Sequence, residues 1–259
     1  MSAIGEAYSA GASAWAHGPA RVYQPLAELL VAFSPAPMRG RRVLDLGSGT
    51  GVGSHAALAA GARVIAADLA LGMLLCGRAD RPPAAVGDAL ALPFRHATFD
   101  IVLAPFSLNH LSEPAAGVRE AGRIGHLLVA STYAADDDHP AKAAADQALS
   151  EVGWRQPPWH AAMKSAMAAW GTVDRATEVI ERGGMRPLSV EWRQIAFPDL
   201  GPADMVAWRM GLAQSATFVE ALDPKTQRAV FERALGLLGP GPEPIVRRVI
   251  FLAAISARC

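Results

Sequence analysis

The stretch VLDLGSGTGVG, residues 43–53, constrains this chain more than any other part of it. A short apolar run, RRVLDL (41–46), leads directly into glycine-rich sequence, and GSHAALAAG (53–61) then reads as a helix closed by Gly61. Asp45 ends a buried strand. Gly47, Gly49 and Gly51 permit a backbone turn that lets a ligand approach N–H groups at the start of the next helix. The local order is strand, glycine loop, helix.

The alternation continues downstream. ARVIAAD (62–68) reads as a strand, LALGMLLCGRAD (69–80) as a helix, AAVGD (84–88) as a short strand and FDIVLAPF (99–106) as a buried strand. A helix opens at Pro114 and runs to Gly122, and HLLVASTY (126–133) is the next strand. Upstream, residues 19–33 set Val22, Leu26, Leu29, Leu30 and Phe33 at helical spacing. Residues 135–170 read as helical with a break containing Trp and Pro, and they carry no strand signal. A helix at 174–184, a strand at 187–197, two helical patterns within 202–238 and a final strand at 243–257 complete the chain. The expectation is an α/β protein, with a mainly parallel sheet covered by helices on both faces. A length of 259 residues with 51% hydrophobic residues fits one domain, 1–259, carrying a helical insertion.

Charge excludes some partners. Lys plus Arg (24) balances Asp plus Glu (24), which leaves no global basic field for a polyanion or an anionic membrane surface. The first residues lack a basic segment followed by an apolar one, and the apolar run VIFLAAISA is about half a membrane span. Neither nucleic acid nor membrane is expected as a partner. The only cysteines, Cys76 and Cys259, form neither a metal cluster nor a disulfide framework, so a reducing cytoplasm is the expected location.

Several cofactor chemistries use a glycine loop after a first strand. The GxxxxGK[ST] phosphate loop is absent. A nicotinamide or flavin fingerprint wants a third glycine where Val52 stands, and a carboxylate directly before the loop would repel a pyrophosphate. Asp45 suits a cationic ligand instead.

VLDLGSGTG resembles the first motif of class I S-adenosylmethionine-dependent methyltransferases, and three further segments follow it in order. The resemblance implies S-adenosylmethionine as cofactor, with S-adenosylhomocysteine as product, bound against Asp45, Gly47, Ser48, Gly49 and Gly51. Asp68, which ends the second strand, is similar to the family's acid that binds both ribose hydroxyls, and Leu69 and Met73 would pack on the adenine. VGDALALPF (86–94) resembles the third-strand motif, in which Asp88 would accept from the adenine amino group and Ala89 would offer its backbone N–H. FDIVLAPFSLNHL (99–111) resembles the fourth strand, whose end at Pro105 would lie under the methyl donor. The implied strand order is 3-2-1-4-5-7-6 with the last strand antiparallel.

Within the family, the chain looks most like small-molecule enzymes of the ubiquinone/menaquinone type and bacterial natural-product tailoring enzymes. The first 33 residues, with Tyr8, Trp15 and Tyr23, resemble a mobile lid over the donor. Residues 34–133 would form the cofactor-binding core, and 134–172 with 200–240 helical cap segments over the acceptor. One departure is AGRIG (121–125), shorter than the family's usual turn before the fifth strand, which implies a shortened edge and an intact pocket.

Methyl transfer from a sulfonium is an in-line displacement, so positioning supplies much of the rate and a base is needed only for a protonated acceptor. His110 follows the fourth strand and is the first candidate for a general base or for orienting the acceptor; the alternative is a loop histidine bonded only to backbone. Tyr133, at the end of the fifth strand, is the second candidate, or else a wall residue. Trp154, Trp159, His160 and Trp170 would suit a flat or greasy acceptor, or simply form the core of the cap. Asp136, Asp137, Asp138 and His139 read as a solvated loop in preference to a divalent-ion site. The expected function is methyl transfer to O, N or C of a small-molecule acceptor, a bacterial secondary metabolite, by a monomer or homodimer. The alternative is a methyltransferase fold that binds the sulfonium without transferring its methyl, as a cyclisation or rearrangement catalyst or a partner subunit.

Overall fold

The computed structural model describes residues 2–256; Cys259, and Ala257 at the end of the expected last strand, lie outside the described residues. Seven strands form one sheet: β1 (Arg42–Leu46), β2 (Arg63–Asp68), β3 (Ala84–Val86), β4 (Phe99–Pro105), β5 (Gly125–Tyr133), β6 (Met185–Phe197) and β7 (Ile245–Ser256). Their order is β3-β2-β1-β4-β5-β7-β6. The first five run parallel, and β7 is antiparallel to both of its neighbours.

The two-residue period of the strands divides the core into two layers. Val43, Val64, Ile101, Leu103, Leu127 and Val129 face one side, against α3 (Ala20–Phe33) and α4 (Val52–Ala59). Leu44, Leu46, Val102, Ala104, Leu128 and Ala130 face the other, against α6 (Pro114–Ile124) and α9 (Val173–Arg182). Strands buried on both faces explain why FDIVLAPF and HLLVASTY read as nearly continuous apolar runs.

The shortened AGRIG segment has a simple structural outcome: α6 ends at Ile124 and β5 starts at Gly125. A side chain at Gly125 would stand 2.6 Å from Val102 Cγ2, so glycine allows helix and strand to join without a loop. Two helical expectations are corrected. The helix expected over 69–80 is only α5 (Leu71–Leu75) plus a 3-10 turn at Arg78–Asp80, because Gly77 at φ +68° breaks the helical path. The two helical patterns in 202–238 are three helices: α10 (Pro202–Met210), α11 (Ala213–Ala221) and α12 (Pro224–Leu238). Leu222 turns extended, and Asp223 caps the last helix by accepting from the N–H groups of Lys225 and Thr226.

The insertion after β5 contributes α7 (Pro140–Glu151) and α8 (Pro158–Ala168). Ala145, Ala148 and Leu149 of α7 share a separate apolar cluster with Val206 and Met210 of α10 and Val230 and Ala234 of α12. At the N-terminus, α1 (Ala3–Ala10) packs on α5 and α11, and α2 (Ala12–His17) follows it. The N–H of Gly72 donates to Ser9 Oγ, and a Cβ there would lie 2.2 Å from the Ser9 carbonyl oxygen, so backbone closely meets backbone where α1 docks. Among the described residues no helix is long and apolar enough to cross a membrane.

Candidate active site

A crevice of about 1040 Å3, including its open mouth, lies at the carboxyl ends of β1, β2 and β4, where open α/β sheets bind ligands. The glycine loop forms its floor: the N–H groups of Gly47 and Ser48 both donate to the Ala67 carbonyl on β2. Gly47 has φ +68°, and a Cβ there would stand 2.2 Å from Ser107 Cβ, so both conformation and space require glycine. Gly49 donates its N–H to Asp68 Oδ2 at 2.7 Å, and the other Asp68 oxygen accepts from the Ala70 N–H at 2.8 Å. Burial raises the pKa of Asp68, while these N–H groups and nearby Arg81 pull it back.

Gly47, Ser48, Gly49, Asp68, Leu69, Met73, Asp88, Ala89, Pro105, Tyr8 and His110 all line this crevice. Asp88 accepts from the Leu90 N–H with one oxygen, and its other oxygen makes no hydrogen bond among the described residues. Three expected residues are not in the wall. Gly51 returns its N–H to the Ser48 carbonyl and starts α4. Asp45 is fully buried beneath the loop, where Oδ2 accepts from Ser54 Oγ at 2.6 Å and Oδ1 has no partner. Tyr133 lies behind the wall, its ring 4.4 Å from that of Phe106 and covered on another side by the Arg247 guanidinium at 4.0 Å.

Burial raises the Asp45 pKa from 3.8 to about 6, against the pull of the Ser54 hydrogen bonds. The folded protein therefore holds a proton that the unfolded chain releases across that window, and this contribution to stability is lost as pH rises through it. Asp45→Asn keeps the shape without ionising. It should gain stability relative to the wild type as pH rises from about 4 to 7, read by urea unfolding at both ends. A difference between the two proteins that stays constant with pH would contradict this account.

His110 sits on the 3-10 turn Leu108–His110 that follows β4. Phe106, at φ +54°, swings the chain out of the strand, and Ser107 Oγ pins the turn by donating to the Leu46 carbonyl at 2.7 Å. The imidazole stacks on Tyr8 of α1, with centroids 5.8 Å apart, and neither ring nitrogen has a hydrogen-bond partner among the described residues. It is thus not held by backbone. Withdrawal from water lowers its pKa to about 4, helped by His160 on α8, so the ring is neutral at pH 7 and can accept a proton.

The aromatic group of the insertion does not reach the crevice. Trp170 is buried in the layer under α6 and α9, and Trp154 is buried with its indole N–H donated to the Gln214 carbonyl. Trp159 stands edge-on to His160, whose Nδ1 pairs with Gln156. Trp15, Tyr23 and Phe106 supply the aromatic wall instead. The acidic run is held in ion pairs: Asp136 with Arg248, Asp137 with Arg247 and Lys142, Asp138 with Lys142. Among the described residues no group of three or more His, Cys, Asp or Glu could hold a metal ion. Arg81, which the sequence reading misses, carries no signal of its own there: one arginine in a polar loop belongs to no periodic pattern or motif.

The sheet order, the glycine loop and the acids at the ends of β2 and β3 define a class I S-adenosylmethionine-dependent methyltransferase fold. Residues 44–127 match the model of the methyltransferase domain family. A demethylmenaquinone methyltransferase of Corynebacterium kroppenstedtii is 42% identical over 88 residues, which span 34% of this chain and 38% of that protein. The match thus covers well under half of the relative's length. Among solved structures, a putative methyltransferase from an antibiotic biosynthesis pathway of Anabaena variabilis superposes with a TM-score of 0.58 at 17% identity, covering 88% of this chain and 96% of that one. The [4+2]-cyclase SpnF superposes with a TM-score of 0.53 at 18% identity, covering 90% and 81%. At such identities these neighbours establish the fold.

Proposed function

We propose that this protein transfers a methyl group from S-adenosylmethionine to a small-molecule acceptor. The observation that carries the reading is one crevice with a hydroxyl- and amine-accepting end, at Asp68 and Asp88, and a neutral, unpartnered imidazole, His110, against an apolar wall. The residues fit the donor. A carboxylate offers about four lone-pair sites, and Asp68 uses two on the backbone, which leaves two for the ribose hydroxyls. Asp88 has an oxygen free for the adenine amino group, and Leu69 and Met73 line the same crevice as apolar surface for the ring.

When bound, the sulfonium supplies an electrophilic methyl group. The chain's own part is to fix the donor along the glycine loop, exclude water with α1 and the aromatic wall, and present the acceptor in line. Where the acceptor carries a proton, His110 takes it at a ring nitrogen as the new bond forms. Trp15, Tyr23, Phe106 and Leu111 favour an acceptor with a neutral, apolar body. We place the reaction in the tailoring of a bacterial secondary metabolite, by a cytoplasmic monomer or homodimer.

The test is titration calorimetry with S-adenosylmethionine and with S-adenosylhomocysteine, followed by a search for methylated product in extracts of small metabolites. Micromolar binding of both with product formed supports the reading. Binding without product favours a catalyst or partner subunit that uses the sulfonium without transfer, and no binding refutes the donor site.

A further inference from the structure

Arg81 follows the turn Arg78–Asp80 and does not line the crevice, yet its guanidinium is bonded to the crevice's frame. Nη1 donates to the Met73 carbonyl on α5 at 2.9 Å. Nη2 donates to the Gly49 carbonyl at 3.0 Å and to Ser48 Oγ at 3.2 Å. One planar fork thus ties the glycine loop to the helix that carries Met73. Gly49 is gripped at both of its polar groups, the N–H by Asp68 and the C=O by Arg81.

The charge matters as well as the shape. Asp45 on β1 and Asp68 at the end of β2 are both withdrawn from water, which favours their protonated forms, and Arg81 acts on both in the opposite sense. The other titratable groups facing this cluster are Cys76 at the end of α5 and Tyr8 on α1. Burial in turn lowers the Arg81 pKa, and the two aspartates oppose that shift. The guanidinium remains a cation throughout the neutral range.

We propose that Arg81 is a positioning residue for the donor: its fork sets the Ser48–Gly49 turn against α5, and its positive charge stands with Asp68 and the buried Asp45 under the loop before the donor arrives. The proposal rests on the donor reading of the crevice. Lysine at this position keeps the charge but cannot make the planar fork, and methionine offers neither.

The experiment is calorimetry with S-adenosylmethionine on the wild type, Arg81→Lys and Arg81→Met from pH 5 to pH 8, with near-ultraviolet circular dichroism to verify folding. Arg81→Met should weaken binding at least about tenfold at neutral pH, through the lost charge-assisted bonds to the loop. It should also move the pH at which affinity falls by half upward, because both carboxylates then protonate at higher pH. Arg81→Lys should bind more weakly than the wild type but keep the wild-type midpoint. Equal losses in both variants with an unmoved midpoint would overturn the electrostatic role, and unchanged affinity in both would overturn the proposal entirely. If Arg81→Met does not fold, Arg81→Lys decides alone: wild-type affinity there overturns the fork. Failure of the wild type to bind the donor overturns the donor reading, and the role of Arg81 with it.

Discussion

Asp68→Ala should raise the Kd for S-adenosylmethionine by at least about 100-fold. The two ribose hydroxyls each lose a hydrogen bond to a charged acceptor, worth roughly 1.5–3 kcal/mol apiece, and about 1.4 kcal/mol corresponds to a tenfold change in affinity. The same carboxylate also anchors Gly49 and Ala70, so its removal leaves two backbone N–H groups without their partner and loosens the loop under the donor. Asp68→Asn is not a mild control. Its amide nitrogen would face one of those two N–H groups, donor against donor. Calorimetry on folded variants checks the prediction, and an unchanged affinity for Asp68→Ala would remove Asp68 from the donor site.

His110→Ala should act on turnover. Loss of a positioned general base lowers kcat by about 100-fold to 10,000-fold, while donor affinity should stay within about threefold of the wild type. The pH dependence has a definite sign. With its pKa lowered to about 4, His110 is already deprotonated well below neutrality, so kcat should be level with respect to this group from pH 6 to pH 8 and fall as pH drops toward 4. A step near the ordinary histidine value of about 6.5 would show that another group takes the proton. Equal losses in turnover and donor affinity would make His110 structural, most simply through its stacking on Tyr8.

Much of the donor end was legible in the sequence because its determinants are local. A buried strand, left-handed glycine positions and an acid at the end of the next strand all lie between residues 42 and 68, and the parallel sheet brings those strand ends to one edge without further instruction. Asp68 and Asp88 reach the crevice for that reason. Asp45 was harder to place, because Gly53 and Ser54 of α4 lie over it: Gly53 would set a Cβ 2.6 Å from Oδ1, and Ser54 bonds Oδ2. The same spacing that suggests a ligand-facing carboxylate also accommodates one sealed below the floor.

The acceptor end depends on long-range packing. Tyr133 is at a strand end, where the register alone would allow exposure, but Tyr23 from α3 and Phe106 from the turn after β4 stand around it, and Arg247 from β7 covers its ring. Trp154 and Trp170 were legible as large apolar groups and not as core or wall, since that choice depends on which helix faces which.

The sequence by itself determined the α/β alternation, the glycine loop and the order of the donor-facing acids, because each rests on backbone geometry and side-chain period within a single unit. The tertiary structure alone decided that Asp45 and Tyr133 are shut away, that His110 is stacked and unbonded, and that Arg81 clasps the loop. Those outcomes turn on desolvation and on contacts between segments far apart in the chain, and neither is written in the spacing of neighbouring residues.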